Sequence, residues 1–275
     1  MSIGSIERNI TFWNSAYDWR DAGEEWSQAW GGSAMLWERT IHPRIRPFLP
    51  RAGTIVELAP GFGRWTGYLL PYARSLHLID LAPKCIEACR IRFGDEGRIQ
   101  YTVNDGRSLP GVPDGSVDFL FTFDSLVHAG FDALTGYAEE LQRVLAPDGV
   151  AFLHHSTAGE HRLFYTVVRA LPSRARRRLA GYLDFQHGRA LDVTAAGFCA
   201  LLQRCGLQVF VQERINWGTR RCIDCFTFVC RPGSRFAQPT IVVENPHFMS
   251  EAESARAGAP AFASGAGRVQ SSNSR

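Results

Sequence analysis

The chain has 275 residues, enough for one well-buried domain with a small accessory lobe. Hydrophobic residues make up 45% and charged residues 21%, an ordinary globular balance, and a formal charge of +3 argues neither for nor against an acidic ligand and does not suggest wholesale nucleic-acid binding. No apolar run approaches the ~18 residues of a membrane span, and residues 1–8 lack the charged start and apolar stretch of a secretory signal, so a cytoplasmic location is expected.

Residues 1–50 are rich in aromatics, among them Phe12, Trp13, Tyr17, Trp19, Trp26, Trp30, Trp37 and Phe48, and end in Pro43, Pro47 and Pro50. They read as a helical cap, either plain packing or an aromatic wall beside a substrate pocket. From Thr54 strands and helices alternate. Thr54–Leu58 predicts the first strand, followed by a Gly-rich turn and a helix through Trp65 and Tyr72. Ser75–Asp80 and Ile99–Val103 are the second and third strands, separated by a helix from Pro83 to Arg92. Val117–Phe123 is uniformly apolar, as a strand covered on both faces should be. A helix over Leu134–Leu145 leads to the fifth strand, Val150–His155.

Residues 157–192 break this rhythm with the basic run Arg174–Arg178 and then Tyr182, Asp184, His187 and Arg189, which read as a helical insertion able to act as a lid. Thr194–Cys205 is a helix stopped by Gly206, and Gln208–Arg214 and Cys222–Cys230 are two final strands. The domain is thus placed at 51–232, with a C-terminal extension at 233–275 expected to be largely disordered from about 250. The seven cysteines lie in apolar or periodic segments and read as free thiols. Cys222 and Cys225 have the C-x-x-C spacing, but in a strand their thiols would point to opposite faces. The fold class is α/β: a Rossmann-like, doubly wound, mostly parallel seven-stranded sheet with an N-terminal cap and an insertion after the fifth strand.

Ligands of such sheets bind at the carboxyl ends of the strands. That rule singles out Ala59–Gly63, Asp80, Asp105, Asp124 and the pair His154-His155. Gly61 and Gly63 permit a tight turn that lets backbone approach a ligand. Asp80 can accept from both hydroxyls of a ribose. The turn reads E-L-A-P-G-F-G-R and lacks the dinucleotide G-x-G-x-x-G, which disfavours a nicotinamide cofactor.

With these features in this order, residues 54–230 resemble the class I S-adenosylmethionine-dependent methyltransferase family. The resemblance implies S-adenosylmethionine as cofactor. Glu57, Ala59, Gly61 and Gly63 would line its methionine side, with Phe123 and Asp124 nearby. Asp80 would bind the ribose and Leu81 would lie against the adenine. Asp105 would accept from the adenine amino group, with Gly106 and Arg107 beside it. Phe62 departs from the small residue common at that turn.

A hydroxyl acceptor needs a general base or a metal. Three histidines are candidates: His128, His154 and His155, with alternation turning only one of the last two toward the cleft. Asp124 and one of that pair could contribute to a divalent site such as magnesium, although there is no dense carboxylate cluster. The segments Phe123–His128, Leu153–Ser156 and Arg214–Gly218 resemble bacterial methyltransferases acting on sugars or polysaccharides, which favours O-methylation of a sugar hydroxyl. Another small metabolite, phenolic, polyketide or amine, is the alternative acceptor. A non-catalytic S-adenosylmethionine-binding protein is the third reading. The partners expected are a small molecule or glycan and a second copy in a homo-oligomer, without nucleic acid or a membrane span.

Overall fold

The computed structural model describes residues 3–95, 97–179 and 188–258. The proposed lid residues Tyr182, Asp184 and His187, and the tail from 259, lie outside them.

The N-terminal part opens with α1 (Ile6–Thr11), where the Arg8 N–H donates to Ser5 Oγ at the cap. After a further helical stretch, α2 (Ser33–Leu36) runs through a π-helical turn at Trp37–Ile41 into α3 (His42–Ile45). The sheet begins with β1 (Gly53–Leu58), then α4 (Thr66–Leu69), β2 (Ala73–Asp80), α5 (Pro83–Phe93), β3 (Ile99–Val103), β4 (Val117–Leu126), α6 (Phe131–Val144) and β5 (Leu145–Ser156). The insertion holds α7 (Arg162–Ala170) and α8 (Ser173–Arg178). Thr194 Oγ1 accepts from the Gly197 N–H and caps α9 (Ala195–Arg204), followed by β6 (Gln208–Ile215) and β7 (Asp224–Cys230).

Strand order is β3-β2-β1-β4-β5-β7-β6, with one more strand, β8 (Ile241–Asn245), beside β6. Among the described residues only β7 runs antiparallel to its neighbours; the remaining ladders are parallel. The order reverses between β1 and β4, and ligand clefts open where neighbouring crossovers diverge at such a point. Alternation along the strands separates two cores. Phe119, Phe121, Phe152, Phe226 and Phe228 pack on one face with Trp30, Trp37, Ile41 and Ile45. Leu120, Ala151 and Leu153 pack on the other with Leu134 and Leu141 of α6 and Phe198 of α9.

Three expectations change. The sheet has eight strands, not seven. Disorder from about 250 does not hold for the first residues of that stretch: β8 is followed by α10 (Met249–Arg256), whose Ala252 and Ala255 are buried. Cys222 precedes β7 instead of lying within it; all seven cysteines are free.

What holds the extension down is a buried charge cluster. Arg44 Nε and Nη2 donate to Glu213 of β6 at 2.8 and 2.7 Å. Its Nη1 and Nη2 donate to Glu251 of α10 at 2.9 and 2.6 Å. Asn245 Nδ2 donates to Glu213 Oε1 at 2.8 Å, so the N-terminal helices, the sheet edge and the C-terminal helix share one polar knot. Burial of these charges is tolerable only because each is paired and hydrogen-bonded.

Candidate active site

The first cavity, about 860 Å³ including its mouth, lies at the carboxyl ends of β1, β2 and β4. Its floor is the turn after β1. Ala59 has φ +58° and Gly61 also +58°. Asp80, at the end of β2, is 4% exposed. Its Oδ2 accepts from the Gly61 N–H at 3.2 Å and its Oδ1 from the Ala82 N–H at 2.8 Å. Burial pushes the Asp80 carboxyl up to about 6, and these N–H groups limit the rise.

Of the residues expected on the cofactor, Ala59, Gly61, Asp80, Leu81, Gly106, Phe123 and Asp124 line this cavity. Glu57, Gly63, Asp105 and Arg107 do not. Gly63 has φ +78°, and a Cβ there would meet the Phe93 ring at 2.4 Å, so its smallness serves packing of the loop on α5. Asp105 is exposed, and its Oδ1 accepts from the Arg107 N–H, the Ser108 N–H and the Ser108 hydroxyl at 3.1, 2.8 and 2.7 Å. It stabilises its own loop; Arg107 is exposed beside it.

Glu57 lies beneath the turn. Its Oε2 accepts from the Thr66 hydroxyl at 2.6 Å, and its Oε1 is buried without a hydrogen-bond partner. Burial pushes this carboxyl up to about 8. The native state therefore holds a proton that the unfolded chain releases near 4.5, and the stability it confers declines as pH rises from about 4.5 to 8. Glu57→Gln should remove this decline. Its melting temperature relative to the parent chain should improve between pH 5 and pH 8.5, and an unchanged difference would disprove the assignment.

N-terminal aromatics close the cleft. Trp19 stacks on Phe62 with centroids 4.5 Å apart, and a Cβ on Gly61 would lie 2.8 Å from the Trp19 ring. A Cβ on Gly106 would lie 3.0 Å from the Ile6 side chain. Two further lining residues were not singled out from the sequence. Arg64 reaches Asp124 Oδ2 at 3.3 Å while stacking over Trp65 at 4.6 Å, and Tyr137 accepts from Asn104 Nδ2 at 3.1 Å. Tyr137 reads as a core position of α6, and nothing local marks Arg64 as different from a surface arginine.

A second cavity, about 1300 Å³ including its mouth, adjoins the first. The two share Asn9, Trp13, Trp26 and Asp124 as lining. Tyr17, Trp30 and Trp217 extend the aromatic wall, and His128, Arg189 and Met249 complete it. Asp124 sits where β4 parts from β5, in an irregularity of pairing between Thr122 and Leu126. Among the described residues three non-glycines have positive φ, Ala22 (+52°), Ala59 (+58°) and Asp124 (+62°), and all three border the first cavity. Strained backbone clusters at functional sites because surrounding structure must hold it there.

The histidines divide sharply. His154 and His155 are both fully buried, and neither lines either cavity, so the expectation that one opens onto the cleft is not met. Their rings do go to opposite faces: His154 packs on Phe123, Trp217 and Phe226, and His155 on Phe198. His154 Nδ1 accepts the Asp124 N–H at 2.9 Å. Its Nε2 lies 3.3 Å from Asp224 Oδ2, close but not aligned as a hydrogen bond. His155 is tied at Nδ1 to the Ser156 carbonyl and at Nε2 to the Thr227 hydroxyl, at 2.9 and 2.7 Å. Burial holds His155 down to about 4.

His128 is different. It is half-buried, and its Nδ1 is 3.1 Å from the Gly188 carbonyl. A carbonyl only accepts, so the proton is on Nδ1 and Nε2 keeps a lone pair. Burial, with the Arg189 guanidinium second, holds this imidazole down to about 4, so it is neutral at physiological pH. Arg189 itself is anchored: Nε and Nη2 donate to Asp224 at 3.1 and 2.7 Å, and Nη2 stands 3.8 Å from Asp124 Oδ1. That guanidinium and His154 hold the buried Asp224 carboxyl well below its usual range against the opposing effect of burial.

The arrangement does not favour the suggested divalent site. Asp124 faces two guanidiniums, and the one acceptor nitrogen of His154 is taken by the Asp124 N–H. Among the described residues no group of three or more His, Cys, Asp or Glu could hold a metal ion.

Residues 56–153 match the family model described as methyltransferase domain, and they span β2 through β4, parts of β1 and β5, and much of the first cavity. A Pyrococcus horikoshii structure aligns with TM-score 0.52 at 18% identity, covering 82% of this chain and 97% of that one. A chain of the Haloferax volcanii complex between the Trm112 methyltransferase activator and a methyltransferase aligns with TM-score 0.51 at 18% identity, covering 79% and 100%. No curated protein sequence matches. The chain thus carries a match to a methyltransferase domain over residues 56–153, set in the Rossmann-like α/β fold that these neighbours share.

Proposed function

We propose that this chain is an S-adenosylmethionine-dependent methyltransferase acting on a hydroxyl of a ring-shaped small molecule held in the second cavity, a sugar hydroxyl in the first place, with His128 taking the proton. The observation that carries this reading is the junction at Asp124. There a cleft fitted for an adenosyl group meets an aromatic-walled chamber bearing a histidine with an unprotonated nitrogen.

The first cavity suits S-adenosylmethionine by its donors and shape. Asp80 offers a buried carboxylate for the ribose hydroxyls. Leu81 and Gly106 supply an apolar edge for the adenine. Ala59, Gly61, Phe123 and Asp124 bound the methionine end. Glu57 and Gly63 support the turn from below, and Asp105 and Arg107 shape the loop carrying Gly106. When bound, the cofactor supplies an activated methyl group on a sulfonium. The aromatic wall would hold a sugar ring through its C–H faces. An attacking hydroxyl becomes strongly acidic as its new bond forms, so a weak base such as His128 suffices. His154 serves by holding the Asp124 backbone, not as a base. The free thiols support a reducing, cytoplasmic setting.

The test has two parts. Calorimetry with S-adenosylhomocysteine should give binding by the parent chain and at least roughly tenfold weaker binding by Asp80→Ala, the loss expected for hydrogen bonds to a charged group. Label transfer from S-adenosylmethionine should then be detected on glycosides or glycans. Failure of the first part overturns the cofactor site. Transfer only to phenols would favour the second reading, which rests on the same tryptophan wall and its fit to planar rings.

A further inference from the structure

We propose that residues 162–179 of the insertion form a docking surface for an anionic lipid bilayer. Two observations meet there. The first is an apolar stripe with no cover: Leu163 is 80% exposed, Val167, one turn on, is 55% exposed, and Leu179 is 40% exposed. On helical geometry Leu163, Val167 and Ala170 share one side of α7, opposite Tyr165 and Val168, which are buried against the body of the protein. The helix is therefore apolar on two sides, and only one of them has a partner.

The second is charge. Arg162, Arg169, Arg174, Arg176, Arg177 and Arg178 fall within these eighteen residues, which contain no acid. The segment carries +6 in a chain of net charge +3, so the rest of the molecule is net negative and the basic character is local. Exposed aliphatic side chains flanked by arginines match the boundary between phosphate headgroups and acyl chains. A nucleic acid would use the arginines but leave Leu163 and Val167 in water. Stacking on bases needs free aromatic faces, and here Tyr165 is buried while Arg221 lies over the Phe164 ring at 3.7 Å. The same insertion supplies Gly188 and Arg189 to the wall of the second cavity. No helix among the described residues is long and apolar enough to cross a membrane, so the contact is with the surface.

The experiment is co-sedimentation of the full chain with vesicles of phosphatidylcholine alone or with 30% phosphatidylglycerol (mole fraction chosen as about that of an anionic leaflet). The chain should sediment with the anionic vesicles and not with the neutral ones. Leu163→Glu/Val167→Glu and Arg177→Glu/Arg178→Glu should each weaken binding by at least about tenfold, since one basic residue near such a surface is worth roughly fivefold. Both pairs are exposed, and their melting temperatures should stay at the parent value. Three results would overturn the proposal: no binding to anionic vesicles, unchanged binding by the leucine–valine variant, or loss of self-association in that variant without vesicle binding by the parent. Retention on RNA or an acidic peptide in place of vesicles would also reject it.

Discussion

His128→Asn should lower kcat by about 10²- to 10⁴-fold, the range in which a positioned general base contributes, while S-adenosylhomocysteine binding stays within about threefold. The comparison that makes this decisive is His154→Asn. An asparagine oxygen can still accept the Asp124 N–H that His154 Nδ1 now accepts at 2.9 Å, so this variant should keep most of its activity. If His154→Asn is inactive and His128→Asn is not, the roles are reversed and the proposal for His128 fails. The pH profile supplies an independent reading. The folded imidazole of His128 is depressed from 6.5 to about 4, so its base form persists down to that value. The acid limb of kcat/KM should therefore fall near pH 4 and not near 6.5, and a midpoint close to that of free histidine would contradict the assignment.

Arg44→Met should have the largest effect on stability, on the order of 3–5 kcal/mol, because it leaves Glu213 and Glu251 buried without their counter-charge. For a domain of this size that corresponds to a melting temperature lower by about 6–15 °C. Replacing all three charged residues together with apolar ones of similar volume should recover much of the loss, since an apolar substitute does not carry the desolvation cost. A fall of less than about 2 °C for the single variant would show that the knot does not fasten the C-terminal helix.

Much of the sheet is legible because buried parallel strands announce themselves as short apolar runs. β3 begins and ends at the predicted residues, and β1, β2 and β6 within one or two. β8 escapes because it is a five-residue edge strand. Its ordering depends on the free edge of β6, and that requirement is absent from the local sequence. α10 escapes because Ala and Ser residues that favour a short helix also dominate the stretch beyond it, and Glu251 fixes it chiefly through Arg44, far away in the chain, with Asn245 as a second donor.

At the site, the strand-end rule locates Asp80 and Asp124 on the cavity but not Asp105. A carboxylate followed three residues later by a serine can close on its own loop, and here it does. Period-two alternation separates the rings of His154 and His155 correctly, yet does not say that both are enclosed. That follows from β7 lying beside β5 and presenting Asp224 and Thr227 to them. His128 depends likewise on Gly188, sixty positions away in the chain.

The three residues of positive φ bear on how the protein can be altered. Ala22, Ala59 and Asp124 occupy a backbone region that glycine enters at little cost and β-branched residues enter at great cost. Library design around the cleft therefore has an unusual shape. At these positions glycine is the least disruptive conformational replacement, whereas valine or isoleucine would spoil the backbone before their side chains touched any ligand.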